Sequence, residues 1–269
     1  MKLIDYTISL RGYLKRRANA IKNFFFDHYH FLKAQNLKNK SFFILNAGRS
    51  GSTLLVDLLN KHSKINCKGE LLHDYQFFPL KHVLAQKSKS DKIFGFKINT
   101  FQLFEIQKIN NAQKFLDELI HKYNFQIIYL KRENCLEQAL SNIHALKSKE
   151  YHLTGDKEKI GKVSTNISEI ISWVKRCEEH HHIENNIISG ISTDVIKISY
   201  EDDLKNGNSH QETCNRLYSF LDLESEDVKS KYKKRVKSYK DSFKNWDKVL
   251  EQLESQDVTS SYLHEGFYK

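Results

Sequence analysis

The sequence predicts an α/β fold: a mostly parallel central sheet flanked by helices, with a helical C-terminal region. Three observations carry this. Short apolar runs of strand length alternate with longer segments of helical periodicity. Two of those runs stop at small or polar residues that lead directly into a helix, the punctuation of a βα unit. Hydrophobic residues make up 39% of the 269, enough for one large α/β domain, with two small ones as the alternative.

Residues 1–40 hold nine basic side chains, Lys2, Arg11, Lys15, Arg16, Arg17, Lys22, Lys33, Lys38 and Lys40, against Asp5 and Asp27. They carry seven of the net +10 charge. Leu10, Tyr13, Leu14, Ile21, Phe24 and Phe25 fall at helical spacing, which predicts a basic amphipathic extension. Such a helix either packs on its own domain or makes a peripheral contact with an anionic membrane. No apolar run approaches the roughly 20 residues of a membrane span and no signal-peptide core follows the basic stretch, so the expected location is cytoplasmic.

Residues 41–269 form the predicted main domain. A strand over 41–47 runs into Gly48-Arg49-Ser50-Gly51-Ser52-Thr53 and then a helix over 53–62 with Leu54, Leu55, Leu58 and Leu59 on one side. Gly48 and Gly51 let the backbone approach a ligand, the helix N-terminus converges N–H groups on it, Ser50, Ser52 and Thr53 add hydroxyls, and Arg49 adds a planar fork. Together these form an anion cradle, the alternative being an ordinary strand-to-helix turn. A short strand near 65–67 leads to Glu70, and His73 shares a face with Glu70 if that segment is helical. A loop over 74–91 precedes a strand over 92–98 that carries Lys97, and a helix follows over 110–122.

The strand over 125–131 ends at Arg132, and the helix over 134–148, patterned by Leu136, Ala139, Leu140, Ile143 and Leu146, carries Ser141. After a loop over 149–166 come a helix over 167–185, a strand over 193–199 and further helices within 207–256 bearing Leu217, Phe220, Leu221, Trp246, Leu250 and Leu253. Open parallel sheets bind ligands beyond the carboxyl ends of their strands, where Arg49 and Arg132 both fall.

The Arg49-Ser-Gly-Ser-Thr-Leu-Leu55 run resembles the 5′-phosphosulfate loop of sulfotransferases that use 3′-phosphoadenosine 5′-phosphosulfate (PAPS). It lacks the Lys of a nucleoside-triphosphate loop. The strand, Arg132, helix, Ser141 order is similar to the family's site for the nucleotide 3′-phosphate, and Asn134, Gln138 and Leu140-Ser141 look like its bacterial carbohydrate-sulfotransferase form. Tyr200-Glu201-Asp202-Asp203-Leu204 resembles a structural Tyr-Glu-Asp-Leu element. Ser238 and Tyr239 lie in what looks like the loop that folds over the nucleotide. The resemblance spans about 41–253 and implies a P-loop-like sulfotransferase architecture, PAPS as co-substrate, no metal, and a small-molecule or glycan acceptor.

Sulfuryl transfer needs a held donor, a neutralised leaving phosphate and a base. The resemblance puts the base at Glu70, with a helix-capping role as the alternative, and His73 beside it. Lys97 either contacts sulfate or acceptor or snorkels to solvent. Two readings from other classes remain open: an ATP- and magnesium-dependent kinase of related fold, and a non-catalytic nucleotide- or nucleic-acid-binding module. The basic cluster Lys229, Lys231, Lys233, Lys234, Arg235 and Lys237 has no accompanying nucleic-acid motif, so attraction of an anionic donor is expected of it instead.

Cys67, Cys135, Cys177 and Cys214 are far apart in sequence and form no C-x-x-C pair, which predicts reduced thiols and neither a zinc site nor a disulfide. His180-His181-His182 on a helix point about 100° apart and cannot converge on one ion, which predicts a solvated helix end. Composition fixes neither oligomeric state nor acceptor.

Overall fold

A computed structural model of the chain describes residues 10–32, 37–148, 161–228 and 239–255. Ser238, the Lys229–Lys237 cluster and residues 149–160 lie outside them.

Among the described residues, five parallel strands form one sheet: β1 Ser41–Asn46, β2 Ile65–Glu70, β3 Ile93–Asn99, β4 Phe125–Lys131 and β5 Val195–Ser199, in the order β2-β3-β1-β4-β5. Every residue of β1 is buried, as expected of a central strand covered on both faces. The order reverses at β1: later strands add first on one side of it, then on the other. Such a switch point opens a crevice beyond the strand ends, here between the loops that follow β1 and β4.

Helices cover both faces. Leu55, Leu58 and Leu59 of α2 (Ser52–Leu59) pack with Phe42, Ile44, Ile128 and Leu130 and with Leu217 and Tyr218 of α7 (His210–Phe220). On the other face Phe43, Leu45, Phe96 and Ile127 meet Val83 and Leu84 of α3 (Pro79–Lys87), Leu116 of α4 (Ala112–Asp117) and Ile187 of α6 (Ile167–Ser189). A third cluster joins Leu136, Leu140 and Ile143 of α5 (Cys135–Ser148) to Val174 of α6, Phe243, and Trp246, Val249 and Leu253 of α9 (Trp246–Glu254). Tyr239 opens the single turn α8 (Tyr239–Ser242) and stacks on Trp246 with centroids 5.3 Å apart.

Some expectations need correction. The stretch 74–91 is not wholly loop: Pro79, with its fixed φ and missing N–H, starts α3 at the first helical turn, where both properties suit a helix. β2 runs on to Glu70, and the segment beyond it is turn, so His73 shares no helix face with Glu70. The predicted helix over 110–122 is α4 followed by a π-helical turn, Glu118–Lys122. Two more π-helical turns, Gln102–Ile106 and Tyr200–Leu204, follow β3 and β5. Such turns are frequent at functional sites.

The N-terminal segment contributes α1, Leu10–Leu32, packed along α3. Ala20 is buried, Asp27 and His82 meet at 2.8 Å with both side chains buried, and Asn23 donates to Gln76 at 3.1 Å. Lys22 remains on this helix with Ile21, Phe25, Tyr29 and Leu32 exposed; Phe25 and Leu32 are 68% and 71% accessible. No helix among the described residues is long and apolar enough to cross a membrane.

Candidate functional site

The loop between β1 and α2 is set by its backbone. Gly48, Arg49 and Gly51 all have positive φ, at 84°, 54° and 87°. A Cβ on Gly51 would lie 2.6 Å from the Tyr200 ring, so glycine is required there twice over. Arg49 takes the same region at a steric cost that surrounding contacts must offset. Asn46, the last residue of β1, supplies two: its Oδ1 accepts from the Gly48 N–H at 2.9 Å and from Ser50 Oγ at 3.1 Å, while its Nδ2 donates to the Ile98 carbonyl at 3.1 Å. Gln138 of α5 holds the far side, its Nε2 donating to the Gly48 carbonyl at 2.5 Å. Gly51 at the N-cap has no side chain to satisfy the first-turn amides of α2, which leaves that end suited to an anion.

Lys97 connects this loop to Glu70. The pairing of β2 with β3 puts Glu70 opposite Lys97. Buried Lys97 Nζ donates to Thr53 Oγ1 at 3.1 Å and pairs with Glu70 Oε1 at 2.9 Å. Gln102 Nε2 donates to Glu70 Oε2 at 2.7 Å, and His73 Nδ1 stands 3.7 Å from the same oxygen. Burial alone would raise the Glu70 carboxyl, but the Lys97 charge and hydrogen bond, with His73 and Asn99, outweigh it and hold it below its ordinary value.

Across the crevice, Arg49 Nη2 donates to Ser141 Oγ at 3.1 Å, so the loop touches α5. Arg132 is buried. Its Nη2 pairs with Glu137 Oε2 at 2.7 Å, its Nη1 donates to the Arg49 carbonyl at 3.3 Å, and its guanidinium lies 4.5 Å over the Tyr200 ring. Burial opposes its charge, but Tyr200, Tyr239 and Glu137 outweigh that and keep it fixed. Tyr239 in turn meets Glu137, which brings the C-terminal segment to the same place. Tyr200 opens the π-helical turn after β5, whose Glu201 Oε2 accepts from the Glu133 N–H at 2.9 Å.

Beneath the loop, Thr100 Oγ1 lies 3.2 Å from the Asn46 carbonyl and also meets Glu184 Oε1 of α6. One hydroxyl proton cannot serve two acceptors. Both contacts are satisfied when Glu184 is protonated and donates to Thr100, which donates on to Asn46. Burial, opposed by Thr100, His181 and Tyr129, raises the Glu184 carboxyl to about 7, in agreement.

The structure thus gathers Arg49, Ser50, Gly51, Ser52, Thr53, Lys97, Glu70, His73, Arg132, Ser141 and Tyr239 at the carboxyl edge of the sheet. Sequence reasoning gave no role to Asn46, Gln102, Glu137 or Glu184. Asn46 alone had a local signal, an Asn two residues before Gly in a turn. Gln102 and Glu184 act through partners distant in sequence, and Glu137 reaches Arg132 from the first turn of the next helix.

All four cysteines are free, but two findings nearby go beyond the sequence reading. Cys135 and Cys177, 42 residues apart in sequence, place their sulfurs 2.6 Å from one another. His180-His181-His182 are not a helix end, because α6 continues to Ser189; His182 is exposed, but His181 is buried against both thiols. Cys135, Cys177 and His181 bring three metal-ligating atoms within 4.8 Å of one another.

No protein-family model matches the chain, and no curated protein matches it. Among solved structures it is similar to mouse sulfotransferase SULT7A1 complexed with PAP, at 14% sequence identity and a TM-score of 0.40 over 70% of this chain and 60% of that one. The chain therefore spans less than two thirds of that protein's length, and the overlap assigns no residue a role.

Proposed function

We propose that the protein transfers a sulfuryl group from PAPS to a hydroxyl of a carbohydrate or glycolipid, by in-line displacement with Glu70 as the base. The observation that carries this reading is the continuous contact Thr53–Lys97–Glu70, which ties a carboxylate to an anion-binding loop through one buried cation. The donor set fits a phosphosulfate: left-handed glycines that open the backbone, an uncapped helix N-terminus, the Arg49 fork and the Lys97 ammonium. The loop has no Lys ahead of Ser52 or Thr53, which disfavours an ATP-dependent kinase.

In this reading Arg49, Lys97 and the α2 amides take up the charge that builds on the leaving phosphate. Glu70, held ionised, accepts the proton of the acceptor hydroxyl. A weak base suffices where the transition state is loose and the proton leaves late. His73 stands at the rim beside Glu70 as an orienting group. Arg132 and Ser141 take the nucleotide 3′-phosphate, with the Glu137 carboxylate standing on Arg132 in place of a phosphate oxygen.

The test is transfer of labelled sulfate from PAPS to a panel of sugars, glycolipids and phenols, with ATP and magnesium in parallel. Glu70→Gln is expected to lower transfer roughly 100- to 10,000-fold with binding of 3′-phosphoadenosine 5′-phosphate nearly unchanged. Phosphoryl transfer from ATP without any sulfate transfer would overturn the reading.

A further inference from the structure

Among the described residues, Cys135 and Cys177 form a reactive cluster that the proposed reaction leaves unused. Cys135 opens α5 directly after Glu133-Asn134, and Cys177 sits on α6 one turn before His181. Both sulfurs are buried, 2.6 Å apart, and His181 Nδ1 stands 3.5 Å from Cys135 Sγ. The pair is also wired to the loop. Cys177 Sγ lies 3.2 Å from Gln138 Oε1, and the amide nitrogen of Gln138 holds the Gly48 carbonyl.

Two chemistries compete for such a cluster, and distance separates them. Two thiolates on one tetrahedral zinc, with Zn–S near 2.3 Å, stand about 3.7 Å apart. A disulfide needs about 2.05 Å. The observed 2.6 Å is nearer the second. One imidazole facing both sulfurs gives a metal a single nitrogen, and the nearest fourth group, the Gln138 carbonyl, is a poor zinc ligand. The same imidazole suits thiol oxidation well, because it can hold the proton that Cys135 gives up. Donation from Cys177 and from His181 lowers the Cys135 thiol, while Cys177 is raised, so one partner is the nucleophile and the other the resolving thiol.

We infer that Cys135 and Cys177 are a redox-modification site, which a peroxide converts to a disulfide, and that this modification loosens the Gly48–Thr53 loop through Gln138. The Cys135 thiolate attacks one peroxide oxygen, the O–O bond breaks, and hydroxide leaves as water with a proton from His181. The Cys177 sulfur then displaces the second oxygen as water, and the S–S bond forms. Two thiols and one peroxide give one disulfide and two waters. Closing the S–S bond draws the Cys177 sulfur toward Cys135 and leaves it no proton to offer, so the Gln138 amide, whose Oε1 stands 3.2 Å from that sulfur, loses an orienting contact on the side away from the Gly48 carbonyl. The second half of the inference rests on the proposed function; the first does not.

The experiment treats the full chain with hydrogen peroxide, counts free thiols, and maps the cross-linked peptides by mass spectrometry after alkylation. Expected is loss of two of the four thiols and 2 Da, with Cys135 joined to Cys177. Affinity for 3′-phosphoadenosine 5′-phosphate should fall about five-fold, the loss of roughly one neutral hydrogen bond, and recover with dithiothreitol. Cys177→Ser should keep the nucleotide affinity and lose the peroxide response, whereas Cys67→Ser and Cys214→Ser should keep both. Four intact thiols after peroxide overturn the site, as does a stoichiometric cobalt complex with thiolate charge-transfer absorption. A disulfide that leaves nucleotide affinity unchanged overturns the coupling. If the reduced chain binds no nucleotide at all, the functional reading fails while the mapped disulfide still decides the site.

Discussion

A single lysine decides how Glu70 behaves. Lys97 is buried, so its charge is poorly screened, and it is shared between Thr53 and Glu70. Burial pulls the Glu70 carboxyl up and Lys97 pulls it down. In Lys97→Met only the burial remains prominent, so the acid limb of the pH–rate profile is expected to move to higher pH as kcat falls. A profile that keeps its limb in place would mean that Glu70 is not the titrating base. Arg49→Ala is expected to weaken donor binding at least ten-fold, by removing charge-assisted hydrogen bonds of roughly 1.5–3 kcal/mol, while the protein stays folded. Isothermal titration with 3′-phosphoadenosine 5′-phosphate, paired with a thermal melt, checks both halves. The φ of 54° makes this substitution informative, because alanine at that backbone angle keeps the strain and loses only the side chain beyond Cβ.

At the scale of elements, α1 presents two apolar faces where one would bury it. Ala20, Phe24, Asp27 and Phe31 turn toward α3 and its approach, whereas Ile21, Phe25, Tyr29 and Leu32 follow one another every three or four residues on the outer side. Cationic residues accompany the outer stripe: Lys22 on α1, and Lys89 whose ammonium lies 3.5 Å over the Phe26 ring. Aromatic and aliphatic side chains amid lysines suit an anionic lipid surface, which would also bring a lipid-linked acceptor to the crevice. The full chain is expected to sediment with phosphatidylserine vesicles and not with neutral ones. Phe25→Ser with Leu32→Ser should abolish this without lowering the melting temperature. A concentration-dependent dimer lost in the same variant would instead make the stripe a contact between copies. The strands and the starts of α2, α5 and α6 were legible here because periodicity is local: β4 and the start of α6 fall on their expected residues. The π-helical turns and α3 were not, since short elements with Gln, Lys and His at buried positions are fixed by packing rather than by pattern.

For the whole molecule, the buried carboxyl of Glu184 couples the loop to bulk stability. In the unfolded chain it titrates near 4.5, in the fold near 7. Between these values the folded state keeps a proton that the unfolded chain has released, so stability falls as pH rises through that window, by up to something on the order of 3 kcal/mol. Glu184→Gln removes the titration, and its unfolding free energy is expected to be flatter between pH 5 and 7.5 than that of the unaltered chain. Equal slopes in urea titrations of the two proteins would contradict the protonated Glu184–Thr100–Asn46 relay. This relay also marks the limit of the sequence reading. Arg49, Glu70, Lys97 and Arg132 were legible as polar residues at strand ends, while Gln102 and Ser141, which hold Glu70 and Arg49, lie 32 and 92 positions from them, where no local signal marks the pairing. The closeness of the two free thiols went unread for the same reason, since nothing local brings residues 42 positions apart together.

The strand order has a consequence for how the chain comes to fold. Strands β1, β2 and β3 are made first and pair on one side of β1, leaving the other edge of β1, with its apolar run Phe42–Leu45, without a neighbour until β4 is synthesised. At ordinary ribosomal rates the roughly 90 residues from Ser41 to Lys131 take about 5–20 s to emerge. During that interval an unpaired hydrophobic edge is open to the wrong strand, from this chain or another. The crevice does not exist in that interval either, because its second wall is the β4–α5 turn. Anion binding and closure of the sheet therefore arrive together, and a ligand held there would lock in the step that ends the exposure.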